Sequence, residues 1–115
     1  MPKFALIFRG GAFVTPGLSP TAMQEHLERW HAWVATLIKD GRHRASQPLE
    51  NRGKSVRGAE RIVTDGPYAE SKDLVTGSLI LEAASLDEAA ELARDCPIFR
   101  FDGSVEVRPV LELER

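Results

Sequence analysis

Cysteine is almost absent from this chain. Cys96 is its only cysteine, so no internal disulfide bond can form. This favours a reducing compartment, and we expect a cytoplasmic protein. A catalytic thiol needs a base nearby, and the sequence around Cys96 offers none. We therefore predict that Cys96 is a buried, inert residue at a helix end.

Long apolar runs and an excess of basic charge are also missing. No segment approaches the roughly 18 apolar residues of a membrane span, and the start, Met1-Pro2-Lys3, lacks a signal-peptide pattern. We therefore expect no membrane association. The 15 Lys and Arg against 17 Asp and Glu give a net charge of −2, which argues against direct nucleic-acid binding. One segment is locally basic. It lacks interleaved aromatic residues, so it is predicted to be the solvated side of a hairpin. Its residues are Arg52, Lys54, Arg57 and Arg61.

The composition that remains is that of an ordinary globular protein. Hydrophobic residues make up 43% of the chain and charged residues 28%, which indicates one folded domain over residues 1–115. Ser19-Pro20 and Asp40-Gly41 are typical of the start and end of a helix, and the Ser85 capping box predicts a second helix that ends at Cys96-Pro97. The predicted strands are Lys3–Arg9, Arg42–Leu49, Ser55–Thr64, Thr76–Ala83 and Ser104–Leu113, with Val105, Val107, Leu111 and Leu113 facing inward.

This order of elements predicts an α+β fold. It is a ferredoxin-like βαββαβ sandwich with an extra strand or hairpin, in which two amphipathic helices cover one face of an antiparallel sheet. The opposite face is partly apolar on the first strand, so it also needs a cover. A second copy of the sheet is the simplest cover, and we expect a homodimer with the sheets face to face.

The loop after the third predicted strand carries more chemistry than a connector needs. It reads Asp65-Gly66-Pro67-Tyr68-Ala69-Glu70, with Lys72 soon after. Gly and Pro give such a loop a defined shape. The carboxylates, the phenol and the ammonium group within it are candidates for a functional site.

This loop resembles the signature loop of the DGPF group within the YCII-related proteins. In this chain Tyr68 stands for the usual Phe and Asp73 for the usual Glu, and Thr76-Gly77-Ser78 stands where Gly-Gly-aromatic is common. The other segments that are similar to that group are His26-x-x-x-Trp30-x-x-Trp33, Leu86-Asp87-Glu88-Ala89, Cys96-Pro97 and Gly103–Pro109.

The resemblance implies a dimeric α+β barrel built from ferredoxin-like subunits, with no firmly assigned reaction. Genes of the DGPF group often neighbour those of extracytoplasmic-function sigma factors, which implies a regulatory link to such a partner. The broader YCII-related group has an active site built around a His–Asp pair. At these two positions this chain has Trp30 and Lys39, with His31 and Asp40 adjacent, so the pair is lost or relocated.

Five residues are predicted to line one small-molecule pocket per subunit. His26 lies about 60° from the centre of the apolar stripe of the first helix, where a pocket between helix and loop is expected. Either the protein only binds a small polar metabolite or it catalyses an acid–base step on one. In an enzyme, His26 is the predicted base and Asp65 or Glu70 its acid or orienting partner. The full set is His26, Trp33, Asp65, Tyr68 and Glu70.

Other candidates lead to weaker expectations. Arg108 on the last strand is predicted either to bind an anionic ligand or to pair with Glu82 or Glu106. His26 and His31 lack the i, i+4 spacing that lets one helix chelate a metal, so we expect no metal. Gly10-Gly11 is not followed by a phosphate-loop pattern, and we expect no cofactor. The competing function is a regulatory protein-interaction module for a sigma factor. In that case Asp65 and Glu70 face solvent or a partner, and no pocket forms.

Overall fold

The computed structural model describes residues 1–66 and 71–113. Six strands and two helices follow one another in this part of the chain. They are β1 (Lys3–Arg9), α1 (Pro20–Lys39), β2 (His43–Pro48), β3 (Gly53–Arg57), β4 (Ile62–Gly66), β5 (Val75–Glu82), α2 (Leu86–Arg94) and β6 (Ser104–Pro109). Short 3-10 segments lie at Ala12–Val14, Ser71–Asp73 and Pro97–Phe101.

The main sheet has four antiparallel strands in the order β2-β5-β1-β6. With the β3–β4 hairpin set aside, this is the strand order of a βαββαβ ferredoxin-like sandwich. The hairpin is inserted between the second and third strands of that core and forms a separate two-stranded sheet. The predicted fold class is therefore confirmed.

Both helices begin where local chemistry favours a start. The Ser19 hydroxyl accepts a hydrogen bond from the Ala22 amide at 3.1 Å, with Pro20 in the first turn. The Ser85 hydroxyl caps α2 in the same way, since it accepts from the Glu88 amide at 3.1 Å. These bonds satisfy amide groups that the first helical turn would otherwise leave without partners.

The hydrophobic core lies between the two helices and one face of the main sheet. Phe4, Leu6 and Phe8 of β1 point to this face, and Leu79 and Leu81 of β5 lie beside them. Burying each such side chain contributes on the order of 1.5–3 kcal/mol. The helical residues of the core include Trp33, Leu37, Ala89 and Ala93.

Two predicted strands differ from the structure. Ser55–Thr64 was expected to form one strand but spans the turn of the β3–β4 hairpin, where Gly58 has φ +77° and Arg61 has φ +56°. The last strand ends at Pro109, so the prediction that Leu111 and Leu113 face inward is wrong; they are 79% and 76% exposed. The pairing stops where its partner strand begins, because the Val110 amide already bonds the carbonyl of Lys3, the first residue of β1, at 2.9 Å.

The β3–β4 hairpin contributes little to the core. Val56, Ile62 and Val63 are each more than half exposed, and the cross-strand pair of Lys54 and Asp65 forms an ion pair of 2.6 Å. Of the helices that the structure describes, none has the length and apolar character to cross a membrane.

Candidate functional site

A cavity of about 380 Å³ opens between helix α1 and the β2–β5 edge of the main sheet. Small-molecule sites commonly occupy about 300–1,000 Å³, so the space suits a small ligand. The lining comes from β1, the Gly10–Phe13 segment, α1, β2, β5 and the 3-10 segment at Pro97–Phe101. The polar residues among its described lining are His26, His31, Ser46, Gln47, Thr76 and Ser78.

Gly77 keeps the floor of this cavity open. It is paired with Phe8 in the register of β5 with β1, so it occupies a position that faces the helices. A Cβ atom there would lie 2.9 Å from the Gln47 carbonyl oxygen and 3.4 Å from the Cα of Pro48. Glycine therefore lets β2 approach closely and leaves the space above β5 without a side chain.

The walls of the cavity are mainly apolar. Trp30 stands edge-on to Phe8, with ring centroids 5.0 Å apart, and both side chains reach the cavity. Leu27, Val34 and Ile38 continue the apolar wall along α1. Such a surface favours a ligand whose body is apolar or aromatic.

His26 is the buried polar residue at this site. It is only 1% exposed and packs against Trp30 and Phe101, with ring centroids at 5.8 Å and 5.0 Å. Its Nδ1 atom is buried and has no hydrogen-bond partner among the described residues. Because buried polar atoms nearly always have partners, and an unsatisfied one costs about 1–3 kcal/mol, this nitrogen needs an explanation.

Burial also changes the titration of His26. It lowers the pKa of the imidazole below its ordinary value, and the nearby Arg100 guanidinium lowers it further. The neutral ring is therefore favoured, with one nitrogen able to donate and the other able to accept a hydrogen bond. A neutral imidazole beside an apolar cavity can take a proton from a ligand, which is the first requirement of a general base.

Two other residues of the predicted pocket, Asp65 and Trp33, are not brought to the cavity. Asp65 lies on β4 with its side chain 86% exposed, paired with Lys54, and it is not among the lining residues. Trp33 lies in the core, where its Nε1 donates to the Leu92 carbonyl at 3.3 Å. The predictions for Tyr68 and Glu70 lie outside the described residues.

Arg108 occupies the face of the main sheet that is opposite to the helices. Its side chain is 67% exposed, and its Nε lies 3.8 Å from a carboxylate oxygen of Glu106. The pairing partner is thus one of the two that the sequence suggested. Arg108 does not line the cavity, so the structure adds no support for a ligand-binding role there.

Sequence reasoning missed several lining residues. Trp30 was not predicted to line the pocket, although it forms part of the cavity wall. Ser46, Thr76 and Gly77 were not singled out as site residues. The available signal was the run Thr76-Gly77-Ser78, because three small residues at the start of a buried strand leave space beside it.

The two histidines of α1 line the same cavity although they lie about 140° apart around the helix axis. His26 is buried and His31 is exposed, so they contribute at different depths. Over residues 1–66 and 71–113, no group of three or more His, Cys, Asp and Glu side chains is arranged to hold a metal ion. Cys96 is buried, and burial raises its pKa to about 12, which leaves the thiol protonated.

The YCII-related domain matches residues 14–114 of this sequence. The chain belongs to the YCII-related family. An uncharacterised protein of Rhizobium meliloti (strain 1021) is 48% identical over 52 residues, which is 44% of this chain and 42% of that relative. The alignment therefore spans less than half the length of the curated relative.

The comparison with solved structures includes one enzyme of known ligand. It is the 5-chloro-2-hydroxyhydroquinone dehydrochlorinase of Burkholderia phenoliruptrix AC1100 in complex with 2,5-dihydroxybenzoquinone. The similarity covers 91% of this chain and 90% of that one, with 21% sequence identity and a TM-score of 0.46.

Proposed function

We propose that this YCII-related protein binds a small molecule in the cavity beside helix α1, and that His26 is its acid–base group. The observation that carries the proposal is the buried His26 ring at the cavity wall, with an Nδ1 atom that has no described partner. A ligand group that bonds this ring would remove the cost of an unsatisfied buried atom. The function is thus ligand binding, with proton transfer as the chemistry that the site favours.

The proton-transfer step needs little more than His26 and a suitably placed ligand. A neutral imidazole accepts a proton from an acidic O–H or C–H group of the ligand and returns it at a second position. Arg100 and the apolar surroundings disfavour a lasting imidazolium ion. The proton is therefore passed on rather than retained. Asp65 is paired with Lys54 on the hairpin, so Glu70 stays the acidic partner that the sequence predicted.

The lining also refines the ligand class. The sequence led us to expect a small polar metabolite, whereas Phe8, Leu27, Trp30 and Val34 present a largely apolar wall. Transferring an apolar ligand surface from water to such a wall is favourable at roughly 25 cal/mol per Å². We therefore propose a compact, mainly apolar ligand with few hydrogen-bonding groups.

A matched pair of substitutions on α1 tests ligand binding. Ala35 lines the cavity, whereas Ala32 is also exposed on α1 but does not line it. We expect Ala35→Trp to fill the cavity and to abolish the thermal stabilisation that a binding metabolite produces, while Ala32→Trp keeps it. A ligand at 100 times its dissociation constant stabilises the folded state by about 2.7 kcal/mol, which a thermal-shift screen detects.

The result that would contradict the proposal is equally direct. If no compound in a broad metabolite screen stabilises the protein, or if Ala35→Trp retains the stabilisation in full, the cavity is not the binding site. Circular dichroism spectra of both variants establish that the fold is intact, so that a lost ligand signal is not mistaken for unfolding.

We also propose that the protein forms a homodimer through the open face of its main sheet. Ala5, Ile7 and Ile80 are half-buried at the centre of this face, where no described helix covers them. The ion pair of Arg9 with Glu106 lies toward its edge. An apolar centre with charged groups around it is the usual anatomy of a protein interface.

The second candidate function is that of a protein-interaction module with a sigma factor as partner. The exposed hairpin favours it, because Val56, Ile62 and Val63 present apolar side chains beside the exposed Asp65. The presence of a cavity favours ligand binding instead, since the interaction hypothesis required no pocket. We therefore place the interaction function second.

A further inference from the structure

Edge strand β2 contains an irregularity that changes where its side chains point. Arg44 and Ala45 together face a single residue of β5, which is a β-bulge. Residues three positions apart on a regular strand point to opposite faces of the sheet. The extra residue brings His43 and Ser46 to the same face. The register pairs around the bulge are His43 with Leu81, Ala45 with Ile80 and Ser46 with Leu79.

The bulge lets His43 fix the hydroxyl group of Ser46. Leu79 and Leu81 belong to the core beneath the helices, so the residues paired with them point to the cavity side of the sheet. His43 Nε2 lies 2.8 Å from Ser46 Oγ, which is a good hydrogen bond. Ser46 lines the cavity and His43 does not, so His43 acts on a ligand only through Ser46.

Ser46 retains capacity for a ligand after bonding His43. A hydroxyl group has one donor and two acceptor sites, and the bond to His43 occupies one of them. The Thr76 hydroxyl on the neighbouring strand differs, because it is buried and already donates to the Gly10 carbonyl at 3.0 Å, whereas Ser46 is exposed on the edge strand. Ser46 is therefore the better polar anchor on the sheet side of the cavity.

We propose that the cavity takes an uncharged ligand with an apolar body and two hydrogen-bonding groups, one bound by His26 on α1 and the other by Ser46 on β2. His43 is the positioning residue for Ser46. This inference rests on the proposed function and specifies the ligand of the same site. The ligand is uncharged because, histidines aside, the described lining residues carry no charged side chain that would offset a buried charge.

Three single-ring probes with an increasing number of hydroxyl groups test this inference. They are para-xylene with none, para-cresol with one and para-hydroxybenzyl alcohol with one at each end, and their dissociation constants are measured by NMR titration. We expect para-cresol to bind about three- to tenfold more tightly than para-xylene, and para-hydroxybenzyl alcohol tighter again by a similar factor, as for one net hydrogen bond each.

Substitutions then show which residue accounts for each gain in affinity. Ser46→Ala is expected to remove the gain of para-hydroxybenzyl alcohol over para-cresol and to leave the gain of para-cresol over para-xylene intact. Ser104→Ala removes a hydroxyl from β6, outside the cavity, and is the matched control that keeps both gains. His43→Phe is expected to reduce the second gain alone, and His43→Gln, which keeps a hydrogen-bonding group, to restore most of it.

The outcomes separate this inference from the function on which it rests. If para-cresol binds and Ala35→Trp abolishes its binding, but the second hydroxyl adds no affinity or Ser46→Ala does not change the gain, only the two-anchor inference is overturned. If the three probes do not bind, or bind equally well to Ala35→Trp, ligand binding in the cavity fails and the inference fails with it.

Discussion

His26 combines two properties that a residue kept only for packing does not need. It is buried, so its polar atoms were removed from water, and its Nδ1 has gained no described partner in return. A leucine of similar size would fill the same space without that cost. A stability cost retained at a cavity wall is the pattern expected of a binding or catalytic group.

The lowered pKa of His26 predicts how stability changes with pH. Its pKa in the folded protein lies below 6.5, the ordinary value that the unfolded chain retains. The unfolded state therefore binds the proton more readily, and the free energy of unfolding falls as the pH drops from 6.5 through the folded-state pKa. Above pH 6.5 both states are neutral, and this contribution to stability is fully present.

Substitution of His26 by leucine checks that account by urea unfolding at a series of pH values. We expect His26→Leu to lack this acid-dependent loss. At pH 7 its free energy of unfolding should be at least that of wild type and up to about 1 kcal/mol higher, because an unsatisfied buried nitrogen is removed. His31→Gln, which also removes a histidine from α1, is the control and retains the loss. Identical pH profiles for wild type and His26→Leu would contradict the assignment.

The sequence could predict His26 but not its surroundings. Its position at the flank of the apolar stripe follows from helical geometry alone, so a site margin was predictable. The cavity beside it is completed by residues of β2, β5 and the segment near Ile98, which meet only after the sheet has formed. Asp65 was chosen because its loop is rich in chemistry, and no sequence pattern showed that β4 leaves the main sheet.

At the scale of elements, local chemistry explains which predictions held. The two helix starts were predicted because Ser19 and Ser85 act through bonds to residues three positions away. The division of Ser55–Thr64 into β3 and β4 was not predicted, since the apolar residues of the hairpin are exposed and show no pattern of buried positions. Gly58 is a turn signal, but a turn alone does not show whether the two strands that it joins belong to the main sheet or form a separate one.

The hairpin provides a prediction of its own. Val56 and Val63 are directly paired across β3 and β4 and point to the same side. We expect the double substitution Val56→Thr with Val63→Thr to keep the β-branched shape and to change the free energy of unfolding of the monomer by about 0.5 kcal/mol or less. If the hairpin is the partner surface, binding to a purified extracytoplasmic-function sigma factor weakens while ligand stabilisation is unchanged.

The control for the hairpin is the same double substitution measured at several protein concentrations. A loss of stability relative to wild type that grows with protein concentration and disappears on dilution would show that the two valines pack against a second copy of the chain. Wild-type and variant proteins that bind the sigma factor equally, or not at all, would remove the second candidate function. Urea unfolding and a binding assay with the purified partner therefore separate the roles of this element.

At the scale of the whole molecule, the two helices cover one face of the main sheet and leave the other face open. The helix side has a continuous core, whereas the other side has Ile7 and Ile80 at its centre and the pairs Arg9–Glu106 and Arg44–Glu82 around them. Exposed apolar patches that are framed by polar groups mark interaction sites. A two-fold dimer would bury the same patch of both subunits at once.

Size-exclusion chromatography with light scattering tests the dimer. We expect wild-type protein to have twice the chain mass of 12.7 kDa, and Ile80→Lys to shift it to the monomer mass, because a lysine at the centre of the interface would bury an unpaired charge in each subunit. Phe99→Lys changes an exposed apolar residue that lies off the main sheet and should leave the dimer intact. A wild-type mass of 12.7 kDa at all concentrations would show that the open face has no self-partner, and the ion pairs around it would then act as a solvated edge.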